Sequence, residues 1–547
     1  MKLCLIWHFH QPDYRVDGEV TMPWVAVHAL RGYTDLPVWA QAAGVPMTFN
    51  LVPVLVEQLE ESMAHLTRHR EEGSPIPEPL LATLTLEPDD WSPALRRMAL
   101  EKLFWINKER LIARHPPYQR MAELAAHDPE GIYLGSSFFQ DLSVWFFLAW
   151  MGETVRDSDP RVAYLINKGA GFDRADRTLL LRVIEEVLAA VLPRLRRMHE
   201  GAFEVAMSPG AHPILPLLHD LNCAHEATPT VPLPQARFLE GDKAIGGQLR
   251  WRDEAIRDWG AMPGCWPSEG AVDTPTLDLL AEKGVGWVAT GERVLAHSQH
   301  WERQNGEAPD SLYTPHRCGQ SGILTLFRDD HLSDRLGFDY PRWRGDDAVR
   351  DLIHRLEALV HRFRYQPEAV VTIALDGENP WEYYADGGRH FVPDLLKAIA
   401  AHPDLEAVTP RQLMQGDYPA LPQVVAGSWV HGTLTTWIGD PAKNRAWELL
   451  CDARAAYLAK CPTLPMAQRE VVERQMRICE GSDWFWWLGE NNPLPIQRRF
   501  DALFRAHLRK LYQQLEVPVP RSVSVPLVDS AHTASFAEMG GVMKRGS

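Results

Sequence analysis

Residues 346–376 read "DDAVRDLIHRLEALVHRFRYQPEAVVTIALD". Val349, Leu352, Ile353, Leu356, Leu359, Val360 and Phe363 recur at i, i+3, i+4 spacing, the apolar stripe of a core-facing helix. "AVVTIAL" (369–375) follows and stops abruptly at Asp376-Gly377. A continuous β-branched run after an amphipathic helix predicts a strand of a parallel sheet whose crossovers are helices.

The same unit recurs upstream. "KLCLIW" (2–7) ends in "HFHQPDY", and "PMTFNLV" (46–52) places Asn50 at a strand end before the helix-like "PVLVEQLEESMAHL". Residues 174–200 form a long amphipathic pattern that Pro193 is expected to interrupt; "FEVAMS", the turn "PGAHP" and the apolar run "VGWVAT" (285–290) follow. A polar cluster sits just after each strand: His8 and His10, Asn50, His212, Asp376. Active sites of parallel barrels lie at the C-terminal strand ends, so a β/α barrel is predicted. After residue 408 the rhythm changes, and helical patterns occupy roughly 440–460, 465–480 and 495–515. The expected division is a barrel with insertions over 1–408, a helical C-terminal domain over 409–520 that contributes to the substrate cleft, and a tail over 521–547.

Composition narrows the function. A net charge of −16 over 547 residues disfavours a nucleic-acid partner, which needs a positive field. The seven cysteines form no CxxC, which fits free thiols in a reducing compartment. The apolar part of "MKLCLIWHFHQP" is short for a signal peptide, and there is no apolar run of about 18 residues, so a cytoplasmic protein without a membrane partner is expected. Twenty tryptophans are many. They serve cores, and they also serve as flat platforms for the apolar faces of sugar rings.

Two acids stand in stiff, aromatic turns: Glu269 in "PGCWPSEG" (263–270) and Asp376 in "TIALDGENPWE" (372–382). Taken singly, each could open a helix or form a turn. As a pair they match glycoside hydrolysis, which sets two carboxyls across a sugar, one of them kept protonated. His8 and His10, two apart on a strand, share a face. With His212 and an acid they would suit zinc, as in a carbohydrate deacetylase or mannosidase, or would hydrogen-bond sugar hydroxyls. "GSWVHGTLTTWIGD" (427–440) and "EGSDWFWWLGE" (480–490) read either as helix-packing aromatics or as a lid. In the lid, Trp rings would sit at subsites and Asp483 would meet a hydroxyl.

Five stretches in order resemble glycoside hydrolase family 57, in its amylopullulanase and α-amylase branch: "HQP" (10–12), "SPGAHPILPLL" (208–218), "GCWPSEGAVD" (264–273), "LDGENPWEYY" (375–384) and "EGSDWFWWLGE" (480–490). "TFNLVPVLVEQL" (48–59), "FRDDHLSDRLGFDY" (327–340) and residues 427–450 are similar to that branch with less specificity. Cys265 stands where a larger or β-branched residue is expected. The resemblance implies an incomplete (β/α)7 barrel followed by a helical domain, and retention of configuration at α-glucosidic bonds. It implies Glu269 as nucleophile, Asp376 as general acid/base, and chemistry without a metal or other cofactor. His10, His212, Trp266 and Asp483 would line the site nearest the cleaved bond, with Trp381, Trp429 and Trp484 as further sugar contacts. The expected activity is hydrolysis of α-1,4-glucans such as glycogen, maltodextrin or starch, with α-1,6 bonds as a further target. A 4-α-glucanotransferase or branching enzyme is the alternative on the same pair. A glucan-binding protein without turnover is the non-enzyme alternative.

Overall fold

The computed structural model describes residues 1–528 except Asn305, Asn379 and Asn491. Seven strands organise the site: β1 (Lys2–Phe9), β2 (Thr48–Leu51), β3 (Glu204–Met207), β4 (Gly264–Cys265), β5 (Trp287–Gly291), β6 (Ile323–Arg328) and β7 (Val370–Asp376). All the pairings among them are parallel, in the order β7-β1-β2-β3 in one sheet and β6-β5-β4 in the other. Short strands extend both sheets: Glu406–Val408 beside β1, and His316–Cys318 antiparallel to β6. β7 is buried along its length up to Leu375, the burial expected of a parallel strand covered on both faces.

The sheets meet at both edges, β3 beside β4 and β6 beside β7. Ser208 Oγ donates to Trp266 O at 2.7 Å across the first edge, and Asp329 N to Thr372 O at 2.8 Å across the second. Among the described residues the strand ladders form two sheets rather than one closed ring. The barrel expectation is therefore met at the level of a parallel α/β arrangement.

Helix α1 (Pro53–Glu72) leaves β2, and α2 (Arg174–His199) leads into β3. An Asp173–Asp176 capping box starts α2. Contrary to expectation, α2 runs through Pro193 without a break, its buried leucines and valines holding it to the sheet. Helix α3 (Gly345–Arg362) matches the predicted stripe; Asp346 and Asp347 near its start and His361 and Arg362 at its end complement its dipole. The C-terminal region holds α4 (Pro441–Lys460), α5 (Met466–Cys479) and α6 (Leu494–Gln514). It shares the apolar core of the strands, with Phe504 and Leu508 in the same buried cluster as Leu3 and Phe9, and His507 Nε2 lies 2.9 Å from Asp13 O in the loop after β1. Of the expected tail, 521–528 is described, with a short helix at Arg521–Ser524, and the remainder lies outside the described residues. All seven cysteines are buried and free. No helix of the described residues is long and apolar enough to cross a membrane.

Candidate active site

Register brings the strand ends together. His8 lies opposite Asp376 on one side and Asn50 on the other. The Asn50 amide nitrogen is 2.7 Å from His8 Nδ1 and donates to Ser208 Oγ at 2.8 Å. With that nitrogen donating, His8 Nδ1 accepts and the ring carries its proton on Nε2. Burial, then His10, holds His8 well below the usual histidine range, so it stays neutral.

Glu269 occupies the left-handed region at φ 58°, between Pro267 and Gly270. Such a backbone costs a non-glycine residue about 1–3 kcal/mol and persists only where its surroundings impose it. Trp429 imposes it twice: its backbone N–H donates to Glu269 O at 3.0 Å, and its indole N–H donates to Glu269 Oε2 at 2.9 Å. The approach requires Gly291, where a Cβ would fall 2.6 Å from Trp429 Cα.

His212 is left-handed as well, at φ 60°, and its Nδ1 is 3.9 Å from Glu269 Oε1. Its ring stacks on those of His10, at 4.0 Å between centroids, and His8, at 4.8 Å. The loop between α5 and α6 closes this side. Ser482 N donates to His212 O at 3.0 Å, and Asp483 Oδ2 is 2.8 Å from His10 Nε2. His8 Nε2, His10 Nδ1 and His212 Nε2 are buried without a hydrogen-bond partner in the protein.

Asp376 ends β7. The next residue must be glycine, because a Cβ on Gly377 would lie 2.1 Å from the Phe9 ring. Gly377 N donates to His8 O at 2.7 Å, and Trp381 Nε1 donates to Gly377 O at 2.8 Å, which fixes the turn from both sides. Glu378 Oε1 accepts from His10 N at 2.7 Å and from the Tyr33 hydroxyl. Burial pushes Asp376 up to about 7, against the pull of His10 and Arg328. It also pushes Glu378 up to about 8, with Asp376 adding to the effect. Burial, then Asp376, raises Glu269 well above the usual carboxylate range, and the Trp429 bond opposes this. The charge on Asp376 thus disfavours that on Glu269. A cavity of about 1080 Å³ adjoins Asp376, with Arg328, Asp330, Trp429 and Trp486 in its wall.

Of the residues predicted from sequence, Glu269, His10, His212, Asp483 and Trp429 are linked by these contacts, and Asp376 is electrostatically coupled to Glu269. Trp266 stands edge-on to Trp429 at 4.8 Å, fully buried. Trp381 lies beneath the Asp376 turn, against Trp7. Trp484 is not with them: it is 1% exposed, packs on Phe504 and His507 and donates to Ile478 O. One cluster among the described residues could hold a metal ion, His10, His212 and Asp483, whose ligand atoms lie within 4.8 Å of one another. His8, part of the zinc set considered from sequence, is engaged by Asn50 instead.

Sequence reasoning missed Glu378, Tyr33 and Arg328. Glu378 stands two residues past Asp376 and could have been weighed with it. Arg328 lies in "FRDDHLSDRLGFDY", whose acids and arginines were visible but unassigned. Tyr33 carries no local signal.

The chain matches the model of glycosyl hydrolase family 57 over residues 4–424. No curated protein matches it. Among solved structures it is similar to a family-57-type branching enzyme from Pyrococcus horikoshii, 14% identical, covering 99% of each chain at a TM-score of 0.57. A family-57 branching enzyme from Thermococcus kodakaraensis, in complex with glucose, is 14% identical over 100% of this chain and 99% of that one, at 0.55. An α-amylase from Thermotoga maritima is 13% identical over 94% and 93%, at 0.54. At these identities the likeness is one of fold.

Proposed function

The chain belongs to glycosyl hydrolase family 57 and is an enzyme of glycosidic bonds, and from that premise we propose that it cleaves α-1,4-glucans with retention of configuration. Glu269 attacks C1 and forms a glycosyl ester. Asp376 gives its proton to the departing oxygen and then takes one from the incoming water. His10, His212 and Asp483 hold hydroxyls of the sugar being transferred, a role suited to ring nitrogens that lack protein partners. The branching-enzyme and α-amylase names of the structural neighbours favour an α-glucan substrate. We extend the proposal to a (β/α)7 barrel over 1–408 and a helical domain over 409–520.

The observation that carries this reading is the pair itself, Glu269 buried and Asp376 half-buried in the cavity wall. The fixed N–H of Trp429 on Glu269 Oε2 opposes the rise that burial and Asp376 impose on that carboxyl, while Asp376 keeps a proton to about pH 7 on the cavity side. A metal-dependent reading draws support from the ligand spacing of His10, His212 and Asp483.

The test is product analysis with maltoheptaose and with pullulan for wild type, Glu269→Ala and Asp376→Ala, with the first-formed anomer read by NMR. Shorter α-anomeric products and loss of activity by about 10²-fold or more in both variants are expected. A first-formed β-anomer, or variants with full activity, overturns the assignment. Loss of activity with EDTA and recovery with zinc supports the metal reading instead.

A further inference from the structure

Gln248 is fully buried in the helix Gly241–Ala255, away from the two acids, and every polar atom of its side chain is engaged. Its Oε1 accepts from Ala211 N at 2.8 Å, and its Nε2 donates to Arg477 O at 3.0 Å and to Glu480 Oε2 at 2.7 Å. Its backbone carbonyl accepts from Gly210 N at 3.1 Å. A primary amide carries one acceptor oxygen and two donor hydrogens, and these surroundings present one donor and two acceptors. Turning the amide over would set its oxygen against a carbonyl and a carboxylate, so its orientation is fixed. Glutamate in its place would lose both donors, and leucine would lose all three contacts.

Both ends of this bridge lead to the site. Ala211 directly precedes His212, and Glu480 belongs to the short segment that runs on to Asp483. Two glycines let the three segments close up: a Cβ on Gly210 would lie 2.7 Å from Gln248 Oε1, and one on Gly481 would lie 2.8 Å from Ala211 O. Beyond the amide the two loops touch directly, Ser482 N donating to His212 O at 3.0 Å and Ser482 Oγ lying 3.1 Å from His212 Nδ1. Glu480 is buried as well, and Arg454 Nη1 holds its other oxygen at 3.4 Å. The bridged groups come from chain segments 37 and 232 residues away from Gln248, so neither loop is fixed to the other by its own local geometry.

We infer that Gln248 is a positioning residue: it locks the loop of His212 to the loop of Asp483 and so sets how strictly the enzyme recognises the hydroxyls of the transferred sugar. The inference rests on the hydroxyl-holding role proposed above for His10, His212 and Asp483. Hydrogen bonds to a substrate discriminate only while their partners stay placed to within a fraction of an ångström. Without the amide, Ala211 N, Arg477 O and Glu480 Oε2 lose their partner in a buried place, and the two loops relax apart to satisfy them. Neither acid is touched by this change. Recognition of the hydroxyls therefore loosens, whatever happens to the overall rate.

The test uses the full chain and four donors: α-maltosyl fluoride and its analogues lacking the 2-, 3- or 6-hydroxyl of the fluorine-bearing ring. Fluoride release gives kcat/KM, and the ratio of parent to analogue gives discrimination. That ratio does not depend on how much of a variant is folded, and the intrinsic reactivity of each donor cancels when proteins are compared. Wild type should reject at least one analogue by about 10²-fold or more, as a site built to hold a hydroxyl does. Gln248→Leu should cut that ratio about tenfold. Gln248→Glu is the milder second variant; it keeps an acceptor for Ala211 N but sets a second carboxylate against Glu480, and it should cut the ratio too. Glu480→Gln added to Gln248→Glu returns an amide donor to the pair and should restore part of the discrimination. Ratios that stay at wild-type values in the folded variants, however slow those variants are, overturn the positioning role alone. A wild type that releases fluoride but takes all three analogues at least as well as the parent overturns the hydroxyl-holding role, and the positioning role with it. No fluoride release from wild type overturns the catalytic pair.

Discussion

Replacing Trp429 by Phe isolates one bond. The ring that stands edge-on to Trp266 at 4.8 Å and beneath the Arg328 guanidinium at 5.1 Å is kept as an aromatic face. What disappears is the N–H that donates to Glu269 Oε2 at 2.9 Å. A hydrogen bond to an ionised group is worth about 1.5–3 kcal/mol, and it favours the charged form that accepts it. Burial and Asp376 already push the Glu269 carboxyl upward, and the indole opposes them. Without it the anion becomes harder to form, so the acid limb of kcat/KM moves to higher pH. Below the limb, kcat/KM on maltoheptaose should fall roughly 10- to 100-fold, the factor equivalent to that energy. The assay is kcat/KM from about pH 4 to about pH 9 for both proteins, with thermal unfolding as the control for folding. An acid limb that stays in place in a folded variant refutes the claim that this indole opposes the upward push on Glu269.

Arg328→Met should move the alkaline limb to higher pH in the same profile, because burial holds the Asp376 proton to about 7 while Arg328 works to release it; an unchanged or lowered limb contradicts that coupling. Gly377→Ala forces a Cβ to 2.1 Å from the Phe9 ring. It should cost about 1–3 kcal/mol in chemical denaturation and lower kcat by displacing Asp376; wild-type values for both would show that the turn has slack. Glu378→Gln keeps an oxygen for His10 N and the Tyr33 hydroxyl, whereas Glu378→Ala strands both donors. Unfolding should place the Ala variant about 1–3 kcal/mol below wild type and the Gln variant between them. Equal losses would assign the effect to charge rather than to the bonds.

The strand-then-polar-cluster pattern was legible because His8, Asn50 and Asp376 lie at the ends of their own strands and His10 follows directly. Asp376 ends β7 and Gly377 follows it, and His10 follows the last residue of β1. Glu269 was legible for a related reason: a rigid Pro267 and a permissive Gly270 flank it, and local geometry is encoded locally. The Trp-rich run at 484–487 shows the limit. Its composition is equally suited to a sugar platform or a core, and contact with Phe504 and His507 buried Trp484 in the core.

What joins the site spans long distances in the chain. Asp483 meets His10 across 473 residues, Trp429 meets Glu269 across 160, and Tyr33 meets Glu378 across 345. No periodicity can carry such pairings, because they depend on how distant segments dock beside the strand ends: the loop between α5 and α6 for Asp483, the segment before α4 for Trp429, and the helix Gly32–Ala43 for Tyr33. The sequence by itself determined the alternation of strands and helices, the two stiff acidic turns and the acidic surface, since propensity, turn chemistry and charge act within a few residues. Only the tertiary structure decided which side chains touch the two acids, which tryptophan donates to Glu269, and on which side of Asp376 the cavity opens. Those follow from packing, which sums contacts over the whole chain.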